Sequence, residues 1–461
     1  MPQKSRDLEK TGAQPTEHER AYDWLEASEK YKKSLSPIDE RDFSAIGDVK
    51  ERLGYASYRA AMQAKSQEEF KEKMQEAVRA YEEAHRLYDQ LEGKEKARTY
   101  RCEAISKYLG YWLSPSAAEK RRLLDECLDL EEKALVAFLG SGNQTEYVTT
   151  FNVLALAIFS RSFLEWNRQT LKYMLERGIA WAEKAVELVA KNGDSHETGR
   201  ALLGLGLVHV CDFLGYYFVE DPQNQEQLRL KTIEHLRKVI EFCEKANDAY
   251  SLSLSYYWLG LYSGAQESLV QKSLEYGEEA HDNYLQGSAL DLLAYIRFWK
   301  CTATEDPDRI RDLAERAMRF YDRAQCHFNI LSYHSPRWGA LPAPAGYAEY
   351  YLGWAMLETD QKRKIELLSM SEKSGIEALK VAEDSDIPLI IESVLHVVSK
   401  TLTARAELEP DSNVKRSLLE RSLKHRERAI EITEQLTPYD YWDLGVELSG
   451  LAKINAQLIG K

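Results

Sequence analysis

The chain has 461 residues, 44% of them hydrophobic and 30% charged, with only 24 glycines, 12 prolines and a formal net charge of −14. By length it exceeds one simple globular core, unless it is built from repeats that contact only their neighbours. The acidic balance argues against a duplex nucleic acid partner, which needs a concentrated Lys/Arg surface, and no apolar run approaches the roughly 18 residues of a membrane span.

Residues 1–16 hold no apolar periodicity and no signal-peptide core, and are expected to be a disordered tail. A lone amphipathic helix is expected near 17–34. Breaker clusters then divide the chain, among them Ser36-Pro37, Gly93, Ser114-Pro115, Gly140 to Asn143, Asp221-Pro222, Asp306-Pro307 and Thr437-Pro438. Between them two kinds of helix alternate, and no strand-like alternation survives. The first kind carries a Leu-Gly step among aromatics: Leu53-Gly54, Leu109-Gly110, Leu205-Gly206, Leu259-Gly260, Leu352-Gly353 and, as a sixth, Leu444-Gly445. Leu156-Ala157 and Leu293-Ala294 fill the wider gaps with the next smallest residue. A glycine inside a helix costs roughly 1 kcal/mol against alanine, so its recurrence calls for close helix packing. The second kind is rich in Ala and Glu, as in KMQEAVRAYEEAHRLYDQL from Lys73 to Leu91.

Pairing the two kinds predicts eight hairpins, at 43–91, 95–139, 144–191, 197–246, 249–281, 285–328, 345–383 and 388–435. A last helix, at 439–459, has the character of a first helix but no partner. Its Leu448, Leu451 and Ile454 are expected to pack on a second copy of the chain, as a homodimer, or on a following module.

The stretch Ser253 to Asn283 resembles a tetratricopeptide repeat. Tyr256, Leu259 and Gly260 take the large-x-x-Leu-Gly positions, Tyr276 and Ala280 stand near the aromatic and alanine positions of the second helix, and Gly260 to Ala294 keeps the 34-residue period. Lys272 and Tyr284 replace the usual early alanine and closing proline, and most other units are longer. The expected fold is an all-α, right-handed, tetratricopeptide-like α-solenoid of about eight stacked antiparallel hairpins plus terminal helices, one domain over 17–461.

The resemblance implies that the inner face of the first helices binds a peptide or a helix of a partner. Carried onto this chain, that face presents Tyr257, Tyr295, Trp299, Tyr350 and Trp354. Large rings of this kind give contact area at low entropic cost, although the same rings serve equally to fill a tightly curled core. The proline-rich connection from Leu331 to Tyr347 adds Arg337 as a charge contact and Trp338 as an anchor, or is a plain surface linker. The family's carboxylate clamp is set aside, because Tyr257 and Leu261 stand where it needs Lys and Asn.

No phosphate loop, H-E-x-x-H, G-x-S-x-G or kinase signature occurs. Cys326, His327 and His334 fit no zinc spacing, and the six cysteines include no C-x-x-C pair, so buried free thiols in a reducing compartment are expected. These absences predict no cofactor, no metal and no enzymatic activity. The favoured function is a cytoplasmic, non-catalytic scaffold for a protein or peptide partner, with no nucleic acid and no membrane. The alternative is a sensor that closes around a small-molecule or peptide signal.

Overall fold

The computed structural model describes residues 19, 21–91, 93, 95–165, 167–192, 195–216, 222–331, 343–385, 387–436 and 441–459. Among the described residues there are eighteen helices and no strand. A lone helix α1 (Trp24–Leu35) precedes eight antiparallel hairpins: α2/α3 (Phe43–Met62, Gln67–Asp89), α4/α5 (Lys96–Leu113, Ala117–Ser141), α6/α7 (Gln144–Ser162, Arg168–Asn192), α8/α9 (Ser195–Tyr216, Pro222–Ala246), α10/α11 (Ala249–Tyr262, Glu267–Glu279), α12/α13 (Asn283–Cys301, Pro307–Leu331), α14/α15 (Ala343–Leu357, Gln361–Ser385) and α16/α17 (Pro388–Leu408, Ser412–Leu436). An unpaired α18 (Tyr441–Ile459) follows. The chain is thus a tetratricopeptide-like array of stacked helical hairpins, with each helix packed on its sequence neighbours and most successive first helices also in contact.

Local chemistry fixes the helix starts. Asp42, Ser66, Ser116, Asn143, Asp248 and Asp282 each accept a backbone N–H with the side chain at an N-cap, supplying a partner to one of the orphan donors of the first turn. The second helices are amphipathic: in α13 the buried residues Ile310, Ala314, Ala317, Tyr321, Ala324 and Phe328 recur every three or four positions. The first helices are buried nearly all round, as in α10, where twelve of fourteen residues are buried. They form the inner layer.

The array closes on itself, which neither composition nor repeat spacing announces. The C-terminal end of α2 meets the turns before α10 and α12. The Gln63 amide donates to the carbonyl of Ala280 at 2.9 Å and the Asn283 amide to that of Ala64 at 2.8 Å. Arg59 and Asp282, both buried, form an ion pair at 3.3 Å, and the guanidinium also lies over the Tyr250 ring at 4.3 Å. Tyr22 accepts from the N–H of Ala249 at 2.7 Å. The hairpin α10/α11 is short, its second helix having 13 residues where α9 and α13 have 25, and its flanking turns are the ones that meet α2. Behind this contact the inner aromatics fill the axis: Trp112 of α4 meets Tyr284 of α12 edge-on at 5.9 Å, and Phe159 of α6 meets Trp258 of α10 at 5.6 Å.

The glycine steps divide into two groups. A Cβ on Gly54 or Gly260 would lie 2.6 Å from Tyr81 or Val270 of its own hairpin partner, as close packing requires. Gly110 and Gly206 meet only ordinary contacts, at 3.5 and 3.4 Å, and Gly445 meets nothing within 4 Å.

Two outcomes test this account. Replacing Arg59 by Met leaves Asp282 buried without its counter-charge and is expected to cost about 3–5 kcal/mol, with a larger radius of gyration by X-ray scattering as the array opens; an unchanged urea midpoint would show that the contact does not hold the turn closed. In Gly260→Ala, overpacking against Val270, whose backbone nitrogen is 3.3 Å away, costs about 1–3 kcal/mol against a helix-propensity gain of about 1, so a net loss is expected. Gly110→Ala is expected to gain about 0.5–1 kcal/mol.

Candidate partner-binding groove

Past the closed turn the inner face opens. The first helices α12, α14 and α16 and the terminal α18 line a groove of about 830 Å³. With helix axes about 10 Å apart, four such helices span roughly 30 Å, enough for about nine residues of extended chain. One wall is apolar: Tyr295, Phe298 and Trp299 from α12, then Tyr350, Leu352 and Met356 from α14. Trp299 and Met356 stand at its lip, 60% and 59% exposed. The opposite wall is charged, with Lys400 and Glu407 on α16, Arg426 reaching in from α17, and Lys453 on α18.

Helix register explains which side chains face the groove. A Cβ on Gly353 would lie 2.6 Å from the Phe298 ring of the preceding first helix, so this glycine faces along the groove and not toward its hairpin partner. Its helical neighbours Glu349 and Met356, four residues before and three after, share that face. Trp354, one position further on, is rotated by about 100°. It is buried at 5% exposure against the second helix of its hairpin, with Arg363 at 5.2 Å from its ring.

The sequence-nominated residues therefore separate. Tyr295, Trp299 and Tyr350 come together in the groove, where Tyr350, itself only 3% exposed, meets Phe298 edge-on at 5.1 Å. Tyr257 does not join them: it is 3% exposed and packs edge-on to Trp258 at 4.8 Å inside the filled axis, which corrects the expectation that it faces a partner. Trp354 is corrected likewise, for the reason of register. Arg337 and Trp338, with His334, lie outside the described residues. Met356, Lys400 and Arg426 were not nominated. Gly353 was the available signal for Met356, and nothing local marks the two cations.

Behind the charged wall lies a buried ionic cluster. Glu392 and His396, one turn apart on α16, come together with Glu447 of α18 so that one ligand atom from each lies within 4.8 Å of the others. The geometry would suit a cation, and a guanidinium already supplies one. Arg426 pairs with Glu447 and places Nη1 3.0 Å from Nδ1 of His396, while His396 also bonds to Glu447. Although burial opposes it, His396 and Arg426 hold the Glu447 carboxyl below its usual range; burial pushes the His396 imidazole down. Arg426 reaches this place because α18 offers no side chain there: a Cβ on Gly450 would be 2.9 Å from its Nε. The cluster ties α16, α17 and α18 together. Of the earlier metal candidates, Cys326 is exposed, and His327 bonds through Nδ1 to Asn283 at 2.8 Å.

No family model matches the chain, and no curated protein is similar to it in sequence. Among the solved structures that match are three that align over most of their length. A Rap protein complexed with competence and sporulation factor covers 89% of this chain and 96% of its own, at 12% identity and a TM-score of 0.48. A circular tandem repeat protein with novel repeat topology covers 92% and 99%, at 13% and 0.26. The human IFIT1 dimer with m7Gppp-AAAA covers 94% and 100%, at 13% and 0.29.

The register argument is testable through stability. Trp354→Ala is expected to cost about 3–5 kcal/mol as a core truncation, and Trp299→Ala less than about 0.5 kcal/mol. Equal urea midpoints for the two variants would contradict the placement of the rings.

Proposed function

We propose that this protein is a non-catalytic interaction scaffold that holds a peptide or a helix of a protein partner in the groove of α12, α14, α16 and α18. One observation carries the reading. Trp299 and Met356 both stand exposed on the apolar wall of one groove, while most other large apolar side chains among the described residues are buried. An exposed Trp and Met on such a wall cost solubility, and they offer a partner adaptable contact area that is desolvated only on binding. Tyr295 and Tyr350 complete the wall. The open lip favours an extended or helical segment over a small molecule enclosed as in a sensor pocket. The ionisable cluster beneath the groove is engaged in holding three helices together, and Glu447 is 1% exposed, which favours binding over catalysis. No helix among the described residues is long and apolar enough to cross a membrane.

Lysine-directed crosslinking in native lysate, with identification by mass spectrometry, tests this. A partner is expected to crosslink through Lys400 or Lys453 and to be lost from a Trp299→Ala, Met356→Ala double variant whose helical circular dichroism is unchanged. Crosslinks confined to the second helices, or a partner retained by the double variant, would sink the reading.

A further inference from the structure

The groove's charged wall is unevenly compensated, and this deepens the reading just proposed, on which it rests. Lys453 pairs with Glu407 at 2.8 Å. Elsewhere on α16 and α17, Arg405 and Arg421 share Glu372, and Arg428 takes Glu383. Of the three cations that line the groove among the described residues, Lys400 is the exception. It is exposed, lines the groove, and forms no ion pair or hydrogen bond among the described residues. Its neighbour Arg426 is 2% exposed, has Glu447 as its one carboxylate partner, and keeps an Nε–H with no acceptor. Two cations thus adjoin, and the Glu447 carboxylate that Arg426 takes is shared with His396. Although the Lys400 side chain as a whole is exposed, its ammonium end is partly enclosed by the groove; that enclosure, and then the charge of Arg426, push the ammonium below its usual range, against the smaller pull of Glu447 and Glu349. A charge held this way is completed by an anion from outside the chain, because a charge-assisted hydrogen bond to a carboxylate is among the stronger contacts open to it.

We infer that the segment bound in the groove is an acidic amphipathic peptide, which sets a carboxylate on Lys400 and an apolar side chain on Trp299 and Met356. Charge complementarity selects this occupant. The apolar wall and the unmatched cation face the same channel, so one short segment reaches both. A basic segment would meet the unmatched charge of Lys400 and be repelled there, Arg426 and Lys453 being paired already with Glu447 and Glu407. A purely apolar one would cover Lys400 and leave its charge unpaired, which is costly in a desolvated interface.

The test uses the full chain and a displayed library of random 12-residue peptides. Peptides retained by the wild type and lost on Trp299→Ala define groove binders, and these are expected to be enriched in Asp or Glu near Leu, Phe or Trp. One such peptide, made synthetically and labelled, is then compared with versions carrying Gln, Lys or phosphoserine in place of the acid, by fluorescence anisotropy. Glu is expected to bind about tenfold more tightly than Gln. Lys400→Ala should erase that difference, and Lys400→Glu should turn the preference toward the Lys peptide. Lys400 is exposed, so both variants keep the fold, checked by circular dichroism. Groove binders without an acid, or a Glu over Gln preference that survives in Lys400→Ala, overturn this inference and leave the groove reading intact. Tighter binding of phosphoserine than of Glu overturns the carboxylate assignment in favour of a phosphate. If no peptide depends on Trp299, the scaffold reading fails as well.

Discussion

The contact between the end of α2 and the turn before α12 sets the shape of everything else. A repeat array contacts mainly its nearest neighbours and leaves its inner face open by default. Here, Gln63, Arg59 and Asn283 bridge helices more than two hundred residues apart in sequence. Placing a charge pair in such a contact is expensive in itself: burial outweighs Arg59 and pushes the Asp282 carboxyl up. What repays it is the apolar surface drawn in behind, where rings from α4, α6, α10 and α12 meet across the axis. The pair fixes which turn docks where, and the rings supply the free energy.

That closure divides the protein. The first five hairpins spend their inner aromatics on one another and become a filled body with little concave surface. Beyond the N-terminal end of α12 the inner face is less filled, and the same residue types line a channel. Tyr257 and Trp299 are both aromatics on first helices of the array, one at 3% exposure and the other at 60%. Their difference comes from what stands opposite, not from their own helices.

The open half carries an ordered set of charges. Arg426 lies on the bare backbone of Gly450 and pairs with Glu447, to which His396 also bonds, so three successive helices are locked at the groove floor. Lys400 is left one turn from His396 and forms no ion pair among the described residues. A rigid floor with one unmatched cation, facing a flexible Met and a Trp, combines a fixed polar contact with an adaptable apolar one.

The sequence by itself determined the helices. Caps such as Asp248 and Asp282, breaker pairs, and the three-to-four-residue recurrence in α13 are local signals whose physics acts within one or two turns, and the eight hairpins follow from them to within a few residues. The glycine steps were legible as marks of first helices, but their meaning was not: Gly260 packs on its own hairpin, Gly353 on the preceding one, and Gly445 on nothing. Only tertiary structure decided that, because a missing Cβ records a close approach without saying from which side. It decided also that Tyr257 is core and Trp299 surface, that Met356 and not Trp354 shares the groove, and that Lys400 stands unpaired. Each of these depends on the path of the superhelix, which small rotations at every hairpin add up to, and no single stretch of chain encodes that sum.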